Sequence, residues 1–329
     1  MMKILYGIQG TGNGHLSRGD FIYTLLKKYT NDVDVLISGD NYSLKPKMPI
    51  KYKNKGVTFS INNGSIDYFK TLVNLDLFTS FFQQQKIPFK NYDLIITDFE
   101  PITAWASIRY KIPSIHISHQ AAFINNKAPR PADRNIMGEY ILKYFCPAND
   151  YIGLHYRSYG PNISEPIILE HICNCEVEEK EHITVYLPWY EDDYLFNFFK
   201  EFDELKFHIF SKKTTVVNQI GNILVYPISK LGFLESMRTS LGVICNSGFQ
   251  TTSEVLYLGK RLLTIPVKGQ YEQMCNVAAL NEIGVMSLTN LNNKSYNHIN
   301  DWLISKPIKI NFKNNLEELL LQKINRMRN

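Results

Sequence analysis

The sequence predicts an α/β protein made of two consecutive halves, each built on a parallel sheet buried on both faces. Three observations lead there. Short apolar runs alternate with stretches of helical period along the whole chain. The first run, residues 3–9 (KILYGIQ), passes into a glycine cluster that opens a helix. After a Gly/Pro/Ser-containing connector at residues 158–166 (SYGPNISEP), the alternation restarts. The length of 329 residues also suits two domains at about 150 residues each. The expected domains are residues 1–160 and 161–312, followed by a last segment, 313–329.

The elements follow in order. Residues 3–9 have the apolar content of a buried strand. Gly10-Thr11-Gly12-Asn13-Gly14 comes next, and Leu16, Phe21, Ile22, Leu25 and Leu26 then recur at helical spacing between His15 and Tyr29. Further strands are expected at Val33–Ser38, Asp93–Thr97, Ile112–Ser118 and Tyr151–His155. In the second half they are expected at Ile183–Leu187, Lys206–Phe210, Ile223–Tyr226, Val243–Cys245 and Leu262–Ile265, with a helix over Asp193–Leu205. Leu316, Leu319, Leu320, Ile324 and Met327 share one face of a final helix, which reads as docked on a domain.

Composition narrows the classes. Hydrophobic residues make up 44% and charged residues 20%, which excludes a disordered chain, a collagen-like repeat and a coiled-coil rod. The net charge of +5 admits an anionic ligand or a membrane surface and does not point to nucleic acid. Five cysteines are an odd count, and Cys173-Asn174-Cys175 is C-x-C, not the C-x-x-C of zinc and redox sites. Reduced thiols in a cytoplasmic protein are expected. The opening Met1-Met2-Lys3-Ile4 runs into a strand without a signal-peptide pattern. No apolar run approaches the roughly 20 residues needed to span a bilayer. The expectation is a cytoplasmic protein able to touch the inner face of the membrane.

Two segments carry chemistry. At the N-terminus, Gly10, Gly12 and Gly14 follow a strand and open a helix, where free N–H groups and partial positive charge receive an anion. The pattern is G-x-G-x-G-H and not the G-x-G-x-x-G of dinucleotide sites, so a dehydrogenase is disfavoured. His15, on the first turn, is a candidate general base. In the second half, residues 243–278 read as a strand ending at Cys245, a tight turn at Asn246-Ser247-Gly248, and a helix from about Gln250. Ser247, Thr251 and Thr252 with free backbone N–H groups suit a diphosphate. Glu254 can accept two hydrogen bonds from a ribose diol. Gln270, Glu272 and Gln273 open the next helix and can read sugar hydroxyls.

This segment resembles the donor-binding signature of GT-B nucleotide-sugar glycosyltransferases. The plant run H-C-G-W-N-S-T-L-E falls without gaps on Asn246 to Glu254. Its His becomes Asn246, its Gly is kept as Gly248, its Trp becomes Phe249, and its Asn and Ser become Gln250 and Thr251. Thr252 and Glu254 are identical. The later acidic-Gln pair resembles Glu272-Gln273, and the Asn-Ala resembles Asn276, followed here by Val277 and Ala278. The usual G-x-P is Gly259-Lys260-Arg261, without the Pro, and the spacing from Glu254 is longer than in the plant enzymes. That spacing looks more like the bacterial N-acetylglucosaminyltransferases that form lipid II, whose G-G-T-G-G-H loop also resembles residues 10–15. A group of bacterial and archaeal glycosyltransferase-like proteins starts much like KILYGIQGTGNGHLSRG and carries a similar SEVLYLGKRLLTIPVKGQYEQ.

The resemblance implies two Rossmann-like domains facing across a cleft, with a UDP-linked sugar on the C-terminal domain and the acceptor on the N-terminal one. It implies that the last helix, 313–329, crosses back to the first domain. It implies a diphosphate held by Gly12, Gly14, Ser247, Gly248, Gln250, Thr251 and Thr252, a ribose on Glu254, and a nucleobase near Ile228, Ser229 and Phe233. Gln270, Glu272 and Gln273 take the donor sugar. No metal and no cofactor are needed, because helix N-termini and hydroxyls stabilise the leaving diphosphate. Inverting transfer is implied, with His15 as base oriented by Asp98 at a strand end; Glu100 is a nearby competitor, and a helix cap is the structural reading of Asp98.

For the acceptor, the aromatic stretch Ile66–Phe89 (Tyr68, Phe69, Phe78, Phe81, Phe82, Phe89) reads as a core-facing helix or as a lipid-linked acceptor site with membrane contact. His116 and His119 read as core or cleft-lining residues and not as a metal pair. Gly12-Asn13-Gly14-His15-Leu16-Ser17-Arg18 also matches the G-x-G-H-x-x-R of the UDP-sugar hydrolase of pseudaminic acid synthesis, where His15 would activate water. A nucleotide-sugar 2-epimerase and a non-catalytic carbohydrate- or nucleotide-binding protein are the remaining alternatives.

Overall fold

Apolar strands of four to nine residues need cover on both faces, and the chain provides it twice. The structure, a computed structural model, describes residues 2–11, 13–42, 45–54, 61–62, 65–66 and 87–328. The first half contains β1 (Ile4–Thr11), α1 (Asn13–Lys27), β2 (Val33–Asn41), β3 (Tyr52–Asn54) and a small hairpin, β4 (Ile61–Asn62) with β5 (Ser65–Ile66). It continues through β6 (Leu94–Asp98), α2 (Pro101–Tyr110), β7 (Ser114–Ser118), α3 (Ile136–Tyr144), β8 (Asp150–Leu154) and β9 (Ile163–Ser164). Its sheet runs β3-β2-β1-β6-β7-β8-β9, all parallel.

A short helix, α4 (Glu170–Cys173), leads into the second half: β10 (His182–Tyr186), α5 (Asp192–Phe199), β11 (Lys206–Ser211), β12 (Asn218–Ile220), β13 (Ile223–Pro227), α6 (Lys230–Thr239) and β14 (Gly242–Cys245). Then come α7 (Phe249–Leu258), β15 (Arg261–Thr264), α8 (Tyr271–Ile283), β16 (Met286–Ser287), α9 (Ser295–Leu303) and α10 (Leu316–Arg328). Its sheet runs β12-β13-β11-β10-β14-β15-β16, parallel except for β12 against β13. Both sheets therefore reverse direction of growth beside their first strand, at β1/β6 and at β10/β14. In such sheets ligands bind at the carboxyl ends of the strands at that reversal.

Several expectations shift in detail. The expected strand at Ile112 begins at Ser114 because Pro113 has no N–H to give the ladder. The helix expected through Leu205 stops at Phe199: Asn222 Nδ2 reaches the carbonyls of Phe199, Phe202 and Leu205 at 3.3, 2.8 and 2.9 Å and holds them in a turn. The short edge strands β3, β9, β12 and β16 carry too few residues for a period-2 signal.

One apolar cluster joins Ile4, Tyr6, Ile8 and Ile117 of the first half with Val243, Cys245, Phe249 and Leu256 of the second. Leu316, Leu319, Leu320 and Ile324 of α10 enter the same cluster, and α10 packs on β8. Lys323, 3% exposed, donates to Asp150 Oδ1 at 2.7 Å and Asn162 Oδ1 at 3.0 Å. The two chain passages between halves are tied together: Asn314 Nδ2 donates to the Glu165 carbonyl at 2.7 Å, and the Asn315 amide to Ser164 Oγ at 3.1 Å. Gly7 in β1 permits the close approach of α2, since a Cβ there would stand 2.2 Å from Thr103 Oγ1. Of the aromatic stretch, Tyr68, Phe69, Phe78, Phe81 and Phe82 lie outside the described residues; Phe89 is buried under the first sheet with Leu5 and Leu36.

Candidate active site

At the reversal point of the first sheet, α1 leaves β1 and presents His15 and, one turn on, Arg18, while β6 ends on Asp98. The three meet. His15 Nδ1 lies 2.8 Å from Asp98 Oδ1, and Arg18 donates from Nε to Oδ2 at 2.9 Å and from Nη2 to Oδ1 at 2.7 Å. Nδ1 also lies 2.7 Å from Arg18 Nη2, which only donates, while the carboxylate only accepts; with its proton on Nδ1 toward Asp98, His15 keeps Nε2 as a lone-pair acceptor. Nε2 has no hydrogen-bond partner among the described residues. Asp98 is 0% exposed. Burial pushes its carboxyl up, but Arg18 and His15 outweigh burial and hold it down at about 2. The ion pair is thus made wholly inside the protein, where a bidentate guanidinium is the suited partner.

The turn after Asp98 is unusual. Phe99 has φ 53°, in the left-handed region that a bulky residue rarely occupies. This conformation places its ring between the His15 and His116 rings, at centroid distances of 6.4 and 6.0 Å and near-parallel. The helix cap falls to Glu100 and not to Asp98. Glu100 accepts from the Ile102 and Thr103 amides at 2.9 and 2.7 Å and from the Ser38 and Thr103 hydroxyls at 2.6 Å each. Its carboxyl is pushed up by burial. The two neighbouring acids are therefore sorted by geometry, one to the imidazole and one to the backbone of α2.

The reversal point of the second sheet faces this one. The turn after β14 carries Ser247, 0% exposed and with an unpartnered Oγ, and Gly248, beside which a Cβ would meet nothing within 4 Å. Gly248 caps α7, whose first N–H groups have no intrahelical acceptor. A Cβ on Gly14 would stand 3.9 Å from Gln250 Cβ, so the first turns of α1 and α7 come into contact. Gln250 Nε2 donates to Glu254 Oε1 at 2.8 Å; burial pushes that carboxyl up to about 7. Thr251 is half-buried on the first turn. Thr252 is turned away from this space: its hydroxyl lies 2.6 Å from Tyr156 Oη and donates back to the Gly248 carbonyl at 2.9 Å. Gly12 lies outside the described residues.

The remaining expected residues are placed as follows. Ile228 and Phe233 are half-buried beside the end of β13, with Phe233 against Tyr186 and Phe210 at 5.3 and 5.2 Å. Ser229 Oγ caps α6 by accepting from the Gly232 amide at 3.1 Å. Gln270 precedes α8, Gln273 Oε1 accepts from the Val267 amide at 2.9 Å, and Glu272 Oε2 accepts from Gln120 Nε2 of the first half at 2.9 Å. His116 Nε2 lies 2.7 Å from Ser118 Oγ, and burial lowers that imidazole to about 4. His119 bridges the halves to Asn276. Among the described residues no group of three His, Cys, Asp or Glu side chains is gathered as metal ligands.

Arg18 entered the sequence reading only as the last residue of G-x-G-H-x-x-R, without a partner; its i,i+3 spacing from His15 puts both on one helix face. Tyr156 and Gln120 carried no signal, because both act through contacts made only on folding. A cavity of about 620 Å³, lined by His182, His208 and Tyr226 among others, flanks α6 away from these residues.

Comparisons with known proteins agree with this architecture. The Glycosyl transferase family 1 model matches residues 2–307. The glycotransferase of kitacinnamycin has a similar structure, with TM-score 0.61 at 10% identity over 99% of this chain and 94% of that one. MurG of Acinetobacter baumannii is similar with TM-score 0.56 at 14% identity over 99% and 94%. UGT89C1 of Arabidopsis thaliana, solved with UDP, is similar with TM-score 0.56 at 12% identity over 100% and 94%. Comparison with curated proteins returns no match. With the family model covering nearly the whole chain and the fold shared end to end, this protein belongs to glycosyl transferase family 1 and is a glycosyltransferase of GT-B fold.

Proposed function

We propose that the enzyme transfers a sugar from a UDP-sugar to an acceptor hydroxyl with inversion and without a metal. The meeting of the α1 and α7 N-termini beside His15 is the observation that carries this reading. Two positive helix ends and the Ser247 hydroxyl converge where a diphosphate would sit. They supply the leaving-group stabilisation that a cation would otherwise give. Glu254 accepts from the ribose diol. His15 Nε2, freed by the bond from Nδ1 to Asp98, takes the acceptor proton. The acceptor oxygen forms its bond to the anomeric carbon as the bond from that carbon to the phosphate oxygen breaks, and UDP leaves. Titration with a panel of nucleoside diphosphates, followed by a donor-sugar screen, tests this; no binding of UDP at millimolar concentration refutes the donor assignment.

One feature favours hydrolysis as a second reading. Arg18 completes G-x-G-H-x-x-R and sits in the site, on Asp98. Release of free sugar from donor at full rate without acceptor would select it.

The acceptor we infer is saccharide or lipid-linked, in cell-envelope glycan or glycolipid synthesis, with the protein working at the inner face of the cytoplasmic membrane. The support is a surface next to the site. Trp105 and Ile108 on α2 are 51% and 47% exposed, and Tyr140 and Tyr144 on α3 are 59% and 47% exposed. The two helices meet at Ala104 and Ile141, in one cluster with Phe99. Lys111, Arg134 and Lys143 stand exposed nearby in sequence. Exposed aromatics with basic neighbours suit an anionic lipid surface. No helix among the described residues is long and apolar enough to cross a membrane. Flotation with vesicles containing anionic lipid checks this contact, and failure to float removes it.

A further inference from the structure

The turn after β7 grips α8 of the other half at two points one helical turn apart. Gln120 Nε2 donates to Glu272 Oε2 at 2.9 Å, and His119 Nε2 lies 2.6 Å from Asn276 Oδ1. His119 is 1% exposed and Asn276 0%. The imidazole also stacks on Phe249, the first residue of α7, at 3.9 Å and 6°. Asn276 continues the connection, donating from Nδ2 to the Ser247 carbonyl at 2.9 Å. A trans peptide sets its C=O and the next N–H in opposite directions. Fixing the Ser247 carbonyl on Asn276 therefore aims the Gly248 N–H the other way, and beside Gly248 the space is open.

From this chain of contacts we propose that His119, acting through Asn276, is a positioning residue that aims the Gly248 N–H at the departing phosphate and couples that aim to the seating of one half on the other. The inference rests on the diphosphate reading of the α7 N-terminus. Proton bookkeeping sharpens it. His119 Nδ1 lies 2.7 Å from the Leu154 carbonyl, which only accepts, so Nδ1 carries a proton. Asn276 spends its N–H on Ser247 and offers an oxygen to Nε2, so Nε2 must donate too. The tie is complete when the ring holds both protons. Burial opposes the second proton and wins, holding the imidazole below its ordinary range; Glu272 on α8 favours the proton, while Arg18 on α1 opposes it and His155, with its ring 5.1 Å away after β8, is the other titratable neighbour. The tie is accordingly firmest on the acid side of neutrality.

The test uses UDP as probe and calorimetric Kd as readout on the full chain. In His119→Gln the amide Nε2 keeps a permanent donor toward Asn276, whereas in His119→Asn the shorter amide serves Leu154 only. His119→Gln should bind UDP within about twofold of wild type at pH 5, and His119→Asn about tenfold more weakly, as expected for one charge-assisted hydrogen bond. Asn276→Leu, close in volume, should match His119→Asn. As pH rises from 5 to 7 the wild-type Kd should rise relative to that of His119→Gln. Melting temperatures identify any variant that fails to fold, and the Gln/Asn pair and Asn276→Leu report independently. Equal affinities of His119→Gln and His119→Asn, or a Kd ratio flat with pH, overturn the proposal. Absence of UDP binding by wild type instead overturns the diphosphate reading on which it rests.

Discussion

Replacing Asp98 by Asn tests the centre of the site, because the carboxylate serves two partners at once. In wild type it balances Arg18, which is 4% exposed, and it orients His15. The carboxyl titrates at about 2 against an ordinary 3.8. At 1.36 kcal/mol per unit, that difference of about 1.8 corresponds to about 2 kcal/mol of stability. A depressed carboxyl pKa contributes in full above the unfolded value, so the contribution is present above pH 4 and is lost as pH falls toward 2. Asp98→Asn removes this acid-side slope and strands a buried guanidinium, at about 3–5 kcal/mol. The melting temperature of the first half should fall by about 6–20 °C. Adding Arg18→Met removes the stranded charge and should restore most of that stability. Turnover should stay depressed by about 10²–10⁴-fold in both variants, since an amide can turn either its oxygen or its NH2 to Nδ1 and no longer fixes the His15 tautomer. Calorimetry and urea titration read the stability, and nitrogen NMR of the imidazole reads the tautomer. A loss under 1 kcal/mol in Asp98→Asn, or a double variant no more stable than the single one, refutes the reasoning.

Three further outcomes follow from the same geometry. His15→Ala should lower turnover about 10²–10⁴-fold while the Kd for UDP, read by calorimetry, changes little, because in the proposed mechanism Nε2 serves the acceptor hydroxyl. UDP binding should strengthen from pH 6 to 8 as Glu254 ionises near 7 and should lose that dependence in Glu254→Gln. The sign for stability is opposite: a raised carboxyl pKa makes ionisation oppose folding between the unfolded value and 7, so pH–melting curves of Glu254→Gln should be flatter and higher at pH 8. Leu320→Ala, at a fully buried position on α10, should cost about 2–5 kcal/mol and raise proteolysis in the C-terminal segment from Asn314 onward.

The alternation of short apolar runs with helical spacing was legible because each strand is covered on both faces and each helix on one. The glycine loop before His15 and the turn at Ser247 were legible as strand-to-helix turns for a related reason: a tight turn into a helix needs small residues at fixed offsets in the chain. Those signals are local. Thr252 shows where local reading fails. Its signature position suggests a ligand hydroxyl, yet the helix phase turns it to Tyr156, 96 residues away.

The sequence by itself determined the two α/β halves and the places where each sheet could receive a ligand, since periodicity and loop composition are properties of consecutive residues. Only the tertiary structure decided that Glu100 caps α2 while Asp98 turns to His15, that Arg18 closes on Asp98, and that His119 reaches Asn276. These choices lie between residues far apart in the chain. They are settled by burial: an ionised or polar group shut away from water must find a partner, and the fold dictates which one is within reach.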